Sequence, residues 1–245
     1  REHGAMSEHH RVTDGTAAIG FVCAMPMEVK PLMGPLGLRP APDGGRLSHG
    51  ALDGGPVVAI VTGMGTELAT RGATELLDAT EVDHVVVVGI TGALESETPI
   101  GTVVRPAVVI HSGTGSRHRP APLGHGEQHG AMWTTDSLTT DPDELARLRS
   151  DGVVSLDMET AAVAAVCEAR GVPWSVVRAI SDRANDGSVD EEVFALSHQD
   201  GSPDWRAVAR FVVTRPHRLP RLAAVGRGAQ RAATIAAEAA VEACR

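Results

Sequence analysis

Residues 152–182 constrain the fold of this chain more than any other stretch, because strand and helix signals alternate there in a fixed order. A short run leads to Asp157, Met158 and Glu159, which are predicted to open a helix, and the alanine- and valine-rich segment after them supplies its apolar face. Gly171 and Pro173 are typical stops for such a helix. The apolar run Trp174–Ile180 then predicts a buried strand. The stretch therefore predicts one helix–strand unit of an α/β fold.

Polar side chains stand at both ends of this unit. Glu159 lies at the helix start, and Arg178, Ser181 and Asp182 lie in or just after the strand. In open α/β sheets, ligands bind beyond the carboxyl ends of strands. Glu28 follows the first apolar run of the chain in the same way, in the first turn of a predicted helix. It either belongs to the same site or merely complements the helix dipole.

Two further apolar runs end in glycine-rich turns, which supports the same architecture. The run 56–62 leads into Gly63-Met64-Gly65, and the run 85–88 leads into a turn containing Thr91 and Gly92. A strand, a glycine turn and a helix can hold an anion or a ribose on backbone N–H groups, although a purely structural turn is equally compatible. The pattern predicts one α/β domain with a mixed, twisted central sheet flanked by helices.

The rest of the chain contributes loops and terminal helices. The histidine- and arginine-rich segment 112–130 is interpreted as a mobile loop over the active site rather than as a metal site, because its glycines and prolines do not favour a helix that presents ligands. Residues 183–204 predict a loop or frayed helix, and 205–213 and 221–244 predict helices. The domain is expected to span 17–245, after a disordered or tag-derived segment 1–16.

Composition excludes several classes of function. The net charge of −9 argues against a general nucleic-acid binder, since phosphate contacts need clustered cations. The three cysteines are widely spaced and form no C-x-x-C pair, which favours a reducing compartment over a thiolate zinc site. No apolar run approaches the length of about 18 residues that a membrane helix needs. We therefore expect a cytoplasmic protein without membrane insertion, metal or cofactor. Three acids without a metal set favour acid/base or sugar chemistry.

Four segments, in this order along the chain, resemble the nucleoside phosphorylase/nucleosidase superfamily, and most closely its methylthioadenosine/S-adenosylhomocysteine nucleosidase branch. The resemblance spans roughly residues 18–195, and its most specific part is the last segment. The segments are Ile19-Gly-Phe-Val-Cys-Ala-Met-Pro-Met-Glu28-Val, Val61-Thr-Gly-Met-Gly65, Val88-Gly-Ile-Thr-Gly-Ala-Leu94, and Leu156-Asp-Met-Glu-Thr-Ala-Ala with Val177-Arg-Ala-Ile-Ser-Asp182.

The resemblance implies a role for each matching residue in breaking an N-glycosidic bond. Asp182 matches the general acid that protonates N7 of a purine, which requires it to hold a proton near neutral pH. Glu28 matches the base that activates the attacking water. Glu159 matches the residue that binds the ribose hydroxyls, and Met158 packs on the sugar. The remaining candidate substrate-binding or orienting residues are Arg178, Ser181, Leu138, Thr91, Gly92 and Gly65.

The same comparison favours water over phosphate as the nucleophile. Phosphorylases of this superfamily hold phosphate with arginines and a hydroxyl in the glycine turns. Here the loop at Pro26 has no arginine, Val87 stands at the second arginine position, and Ile90 stands at the hydroxyl position. A phosphate dianion would be poorly held without these donors.

The identity of the substrate is left open by the sequence. Leu138 stands approximately where the nucleosidases stack an aromatic residue on the base, and the ending 215–245 is more like the hopanoid-associated phosphorylase branch, which acts on an adenosyl lipid. Besides a small-molecule adenine nucleoside, a nucleoside with a larger 5′ substituent or a futalosine-type nucleoside is possible. Phosphorolysis and non-catalytic nucleoside binding are the alternatives to hydrolysis. The resemblance implies a homodimer.

Overall fold

The computed structural model describes residues 18–41, 45–184, 192, 195, 196, 198 and 204–245. The segment 1–16 and most of 183–204 lie outside the described residues. The strands are β1 (Ala18–Cys23), β2 (Arg39–Pro40), β3 (Leu47–Leu52), β4 (Gly55–Val61), β5 (Val82–Ala93), β6 (Val103–Val104), β7 (Val108–His111), β8 (Arg117–His118), β9 (Ala131–Thr134), β10 (Val153–Asp157) and β11 (Trp174–Arg183). The helices are α1 (Pro26–Met33), α2 (Thr66–Ala79), α3 (Pro142–Ser150), α4 (Thr160–Arg170), α5 (Trp205–Thr214) and α6 (Leu219–Ala243), with a 3₁₀ turn at Pro216–Arg218.

The described strands form one 11-stranded mixed sheet whose centre is parallel. β1 pairs in parallel with β4 and with β5, and β11 pairs in parallel with β5. These strands are nearly continuous apolar runs, as expected for strands covered on both faces. Because they are parallel, their carboxyl ends meet at one edge of the sheet. This confirms the mixed α/β architecture expected from the sequence.

Helices cover both faces of this sheet. α2 and α4 contact each other and share a core cluster with one side of β1, β4, β5 and β11. α1 and α6 contact each other and pack on the opposite face. α6 does so through alanines, which let a helix approach a sheet closely because their side chains are short; the buried ones are Ala232, Ala233, Ala236, Ala237 and Ala240. No helix in the described parts of the chain is long and apolar enough to cross a membrane.

The interpretation of residues 112–130 as a loop over the active site does not hold for residues 118–121. The Ala121 N–H donates to the carbonyl of Trp174, which begins β11 and so lies at the far end of that strand from Asp182. The buried His118 contacts Glu168 near the C-terminal end of α4, with Nδ1 and Oε2 2.7 Å apart. Residues 118–121 therefore pack away from Asp182, whereas Ser112 lies at the sheet edge that carries the site, where its N–H donates to the Thr134 carbonyl at 2.8 Å.

Candidate active site

Glu28 is a buried carboxylate fixed by backbone donors from two strand ends. It lies in the first turn of α1, directly after β1, and is 1% exposed. Its Oε2 accepts the N–H groups of Ala24 and Met25 at 2.7 and 2.9 Å, and its Oε1 accepts the N–H of Ile90 at 2.8 Å. Three such donors specify the position of both oxygens and favour the ionised form.

Gly89 is the residue that lets Glu28 approach β5. A Cβ atom at position 89 would lie 2.6 Å from the Glu28 carboxyl carbon and closer still to Oε1. Any side chain at this position would therefore displace the carboxylate. Gly89 lies inside β5, which continues to Ala93, so the glycine turn expected after residues 85–88 is part of the strand. The glycine is explained by close approach to an acid, and its own φ is not in the left-handed region.

Arg178 is the cation around which the other carboxylates gather. Its side chain is 2% exposed, and its NH2 group (Nη2) lies 2.9 Å from Asp157 Oδ2 and 3.2 Å from Glu159 Oε2. Its Nη1 donates to the Ile90 carbonyl at 2.7 Å and lies 3.9 Å from Glu28 Oε1. The single guanidinium therefore connects β5, β10, α1 and the start of α4 within the buried site.

Glu159 is the N-terminal flanking residue of α4 and is held from two sides. Its Oε1 accepts the N–H of Gly65 at 3.0 Å, while its Oε2 faces Arg178. Asp157, at the end of β10, accepts the N–H groups of Glu159 and Thr160 through Oδ2. The sequence interpretation placed Asp157 in the helix start, whereas it ends the strand and anchors both the helix and Arg178.

Burial and mutual repulsion shift the proton affinities of this cluster. Burial raises the pKa of Glu28, with Arg178 and the three backbone donors opposing the rise. Burial raises the pKa of Glu159 to about 7, with Arg178 and the Gly65 N–H opposing and the neighbours Asp157 and Glu28 adding to the rise. The pKa of Arg178 is raised by the three carboxylates, so its charge is retained.

Asp182 is the residue before the last in β11, and it lines the same pocket. The hydroxyl of Ser181 donates to its Oδ1, and its Oδ2 lies 3.2 Å from where a Cβ of Gly92 would stand. The hydroxyl of Thr91 donates to the carbonyl of Leu156 at 2.7 Å. Gly92 and Thr91 thus bring β5 against β10 and leave room for the Asp182 carboxyl.

These groups line one pocket with a volume of about 290 Å³. The sequence-predicted residues that it brings together are Glu28, Thr91, Gly92, Leu138, Met158, Glu159, Arg178, Ser181 and Asp182. Gly65 is the exception, since it does not line the pocket and its N–H is directed at Glu159. Its contact in the structure is one that positions Glu159, and its role as a substrate-binding residue stays a prediction.

The pocket also contains residues that sequence reasoning missed. Besides the predicted Met158, three methionines line it, and two small apolar residues of α6 close one side; these residues are Met25, Met27, Met64, Val225 and Ala229. A hydroxyl-rich loop between β9 and α3 contributes another wall, which includes Thr135 and Thr139. The hydroxyl run 134–140 was visible in the sequence, but nothing there indicated the contribution of α6. Among the described residues, no group of three or more His, Cys, Asp or Glu side chains is arranged to hold a metal ion.

The chain matches known proteins over most of its length. The sequence profile of the phosphorylase superfamily matches residues 18–129 and 125–214. The 5′-methylthioadenosine/S-adenosylhomocysteine nucleosidase of Actinobacillus succinogenes is 30% identical over 200 residues, covering 69% of this chain and 86% of that protein.

Solved structures show the same fold at lower identity. A Helicobacter pylori MTAN mutant with 5′-methylthioadenosine in its active site has a TM-score of 0.66 at 17% identity, over 91% of this chain and 95% of that chain. The futalosine hydrolase of Helicobacter pylori strain 26695 gives the same TM-score, identity and coverage. The fold implied by the sequence resemblance is thereby confirmed, while the likeness of the C-terminal part to the hopanoid-associated branch stays a prediction.

Proposed function

Because the chain belongs to the phosphorylase superfamily, we propose that it hydrolyses the N-glycosidic bond of a purine nucleoside with a modified 5′ position and releases the base. The observation that carries this proposal is the convergence of Glu28, Glu159 and Asp182 on one pocket, in which Arg178 is the one cation among the described lining residues. Such a pocket can bind a sugar, protonate a leaving base and activate water.

Each acid has a distinct chemical task in this reaction. The transition state resembles an oxocarbenium ion, so the departing base needs a proton and the anomeric carbon needs a nucleophile. Asp182, held by Ser181, donates to N7 of the purine. Glu28, with both oxygens fixed by backbone N–H groups, accepts a proton from the attacking water. Glu159 accepts hydrogen bonds from the ribose hydroxyls, while Met158 packs against the sugar.

The electrostatics of the pocket support water rather than phosphate as the nucleophile. Arg178 is the only basic residue among the described residues that line it. Its nitrogens already face Asp157, Glu159, Thr160 and the Ile90 carbonyl. A phosphate dianion would meet carboxylates without a cation of its own, and charge repulsion in a buried site is costly. A neutral water molecule meets no such barrier.

The apolar walls support a substrate with an apolar 5′ substituent. Met27, Val225 and Ala229 bring no charge or hydrogen-bonding group to the pocket. The relative from Actinobacillus succinogenes is named for 5′-methylthioadenosine and S-adenosylhomocysteine, and both are adenine nucleosides modified at the 5′ position. We extend this substrate class to the present chain, with the chain's own α6 forming the apolar wall.

The test is base release from methylthioadenosine, S-adenosylhomocysteine and adenosine, each measured with and without phosphate. We expect release that is independent of phosphate and fastest with an apolar 5′ substituent. Release only with phosphate would establish phosphorolysis instead. No release, together with tight binding of a nucleoside analogue, would indicate a non-catalytic binding protein.

The variant Asp182→Asn separates catalysis from binding. It keeps the shape and the hydrogen bond from Ser181 but cannot donate a carboxyl proton, so we expect base release to be lost and analogue binding to be retained. Turnover close to that of the unmodified protein would refute the assignment of Asp182 as the acid.

The proposal includes a cytoplasmic homodimer. The resemblance to the nucleosidase branch supports the dimer, and the widely spaced cysteines support a reducing compartment. Light scattering of the purified protein measures the assembly directly, and a monomer mass would refute the dimer.

A further inference from the structure

The wall of the pocket formed by residues 135–140 is rich in hydroxyls and has no aromatic side chain. Among the described residues that line the pocket as a whole, none is aromatic. Stacking on an aromatic ring, which contributes to holding bases at many nucleic-acid-binding sites, therefore does not contribute to holding a base here. Polar contacts must carry more of the recognition.

Most buried hydroxyls at the pocket are already engaged in holding the protein together. Thr91 donates to Leu156, Thr135 donates to the Ser137 carbonyl at 3.3 Å, and Ser181 donates to Asp182. Thr139 differs from them. It is 8% exposed and lines the pocket, yet its hydroxyl has no hydrogen-bond partner in the described structure. The Thr139 oxygen is not one of the fully buried polar atoms without a partner, so it keeps some exposure and a ligand in the pocket can reach it.

The loop that carries Thr139 is anchored, so the hydroxyl is offered from a defined position. Asp136 accepts the N–H and the hydroxyl of Thr66, both at 2.8 Å, and thereby fixes the loop to the start of α2. The N–H of the preceding Gly65 holds Glu159. The loop and the sugar-binding acid are therefore positioned relative to each other through the same turn.

Chemical complementarity assigns the walls of the pocket to the parts of a nucleoside. Glu28 and Glu159 take the reacting water and the sugar. The apolar wall of Val225 and Ala229 suits an apolar 5′ substituent. The polar edge of the base, which carries hydrogen-bonding groups at positions 1 and 6, is then left for the hydroxyl-bearing wall.

We propose that the Thr139 hydroxyl recognises the polar edge of the purine, and that the site for this reason takes both 6-amino and 6-oxo purines. The inference rests on the proposed nucleosidase function. A hydroxyl is both a donor and an acceptor and rotates to suit its partner. It can accept from a 6-amino group or donate to a 6-oxo group, whereas a fixed donor or acceptor would select one of them.

The first experiment compares the unmodified protein on matched adenine and hypoxanthine nucleosides with the same 5′ substituent. We expect kcat/KM values of the same order for the two bases. A preference of about 10⁴, the discrimination reached by sites built around a fixed hydrogen bond, would overturn the inference of dual acceptance.

The second experiment replaces Thr139 by valine, which keeps the shape and removes the hydroxyl. We expect kcat/KM for both bases to fall about 10-fold, the loss that one good hydrogen bond implies. Thr139→Ser, which keeps the hydroxyl, should restore most of the loss. Thr70→Val is the matched control, because the Thr70 hydroxyl bonds only the Thr66 carbonyl on the exposed side of α2.

Calorimetric binding of free adenine and free hypoxanthine gives a readout independent of turnover. We expect Thr139→Val to weaken both. Base release by the unmodified protein with no effect of Thr139→Val on rate or binding would overturn this inference alone. Failure of the unmodified protein to release any purine would overturn the proposed function and this inference with it.

Discussion

Replacement of Glu159 by glutamine should stabilise the protein at alkaline pH while it removes activity. Burial raises the pKa of Glu159 from an ordinary 4.5 to about 7. At about 1.4 kcal/mol per pH unit, this shift corresponds to about 3 kcal/mol of destabilisation when the carboxylate is ionised. Glutamine resembles the protonated acid in shape, and its amide oxygen can still accept from Gly65 or Arg178.

The sign of the pH dependence follows from proton linkage. Between pH 4.5 and about 7 the folded protein binds more protons at Glu159 than the unfolded chain does. The free energy of unfolding therefore falls as the pH rises through this interval. The Glu159→Gln variant lacks this fall, so the two proteins should have similar stability near pH 4.5 and differ by up to about 3 kcal/mol at pH 8.

Urea unfolding at several pH values between 4.5 and 8 measures this difference. Glu67→Gln is the control, since Glu67 is an exposed partner of Arg71 on α2 and such pairs contribute little. Because Glu28 and Asp157 lie beside Glu159, the midpoint of the titration belongs to the cluster. A Glu159→Gln variant that is less stable than the unmodified protein at pH 8 would refute the reasoning.

Three further predictions concern other residues of the candidate site. Arg178→Met should lower the free energy of unfolding by about 3–5 kcal/mol, because it leaves buried carboxylates without their cation. Urea denaturation at pH 8 measures this loss. A loss below about 1 kcal/mol, which is what an exposed ion pair contributes, would contradict the prediction. Gly89→Ala should displace Glu28 and abolish base release while nucleoside-analogue binding persists, and a turnover assay showing normal rates would exclude the close approach. Leu138→Phe should lower KM several-fold by restoring an aromatic surface worth about 0.5–1.5 kcal/mol, and an unchanged or higher KM would show that Leu138 does not face the base.

The positions of Glu28 and Asp182 could be predicted from the sequence because one rule of α/β sheets places them. Both follow apolar runs, and parallel strands deliver such residues to a common edge. The structure places both in one pocket. Their roles remain predictions from the resemblance, since placement alone does not demonstrate chemistry.

The supporting residues could not be predicted because they depend on contacts between distant segments. Asp157 reads as part of a helix start, and only the approach of β11 reveals it as a partner of Arg178. In the sequence, Gly65 belongs to a turn that could bind a ligand. Only the structure shows that the start of α4 lies close enough for the Gly65 N–H to donate to Glu159. Val225 lies in an alanine-rich helix with no local sign that it borders a pocket.

A buried core residue, Val87, also argues against phosphate as the nucleophile. The resemblance places a phosphate-binding arginine at position 87, where this chain has valine. Val87 is 1% exposed and packs in the core cluster shared by α2 and α4. An arginine there would need burial beside apolar side chains, which charged residues avoid unless they are paired. Conversion to a phosphorylase would therefore require repacking of β5 against these helices, in addition to new cations in the pocket.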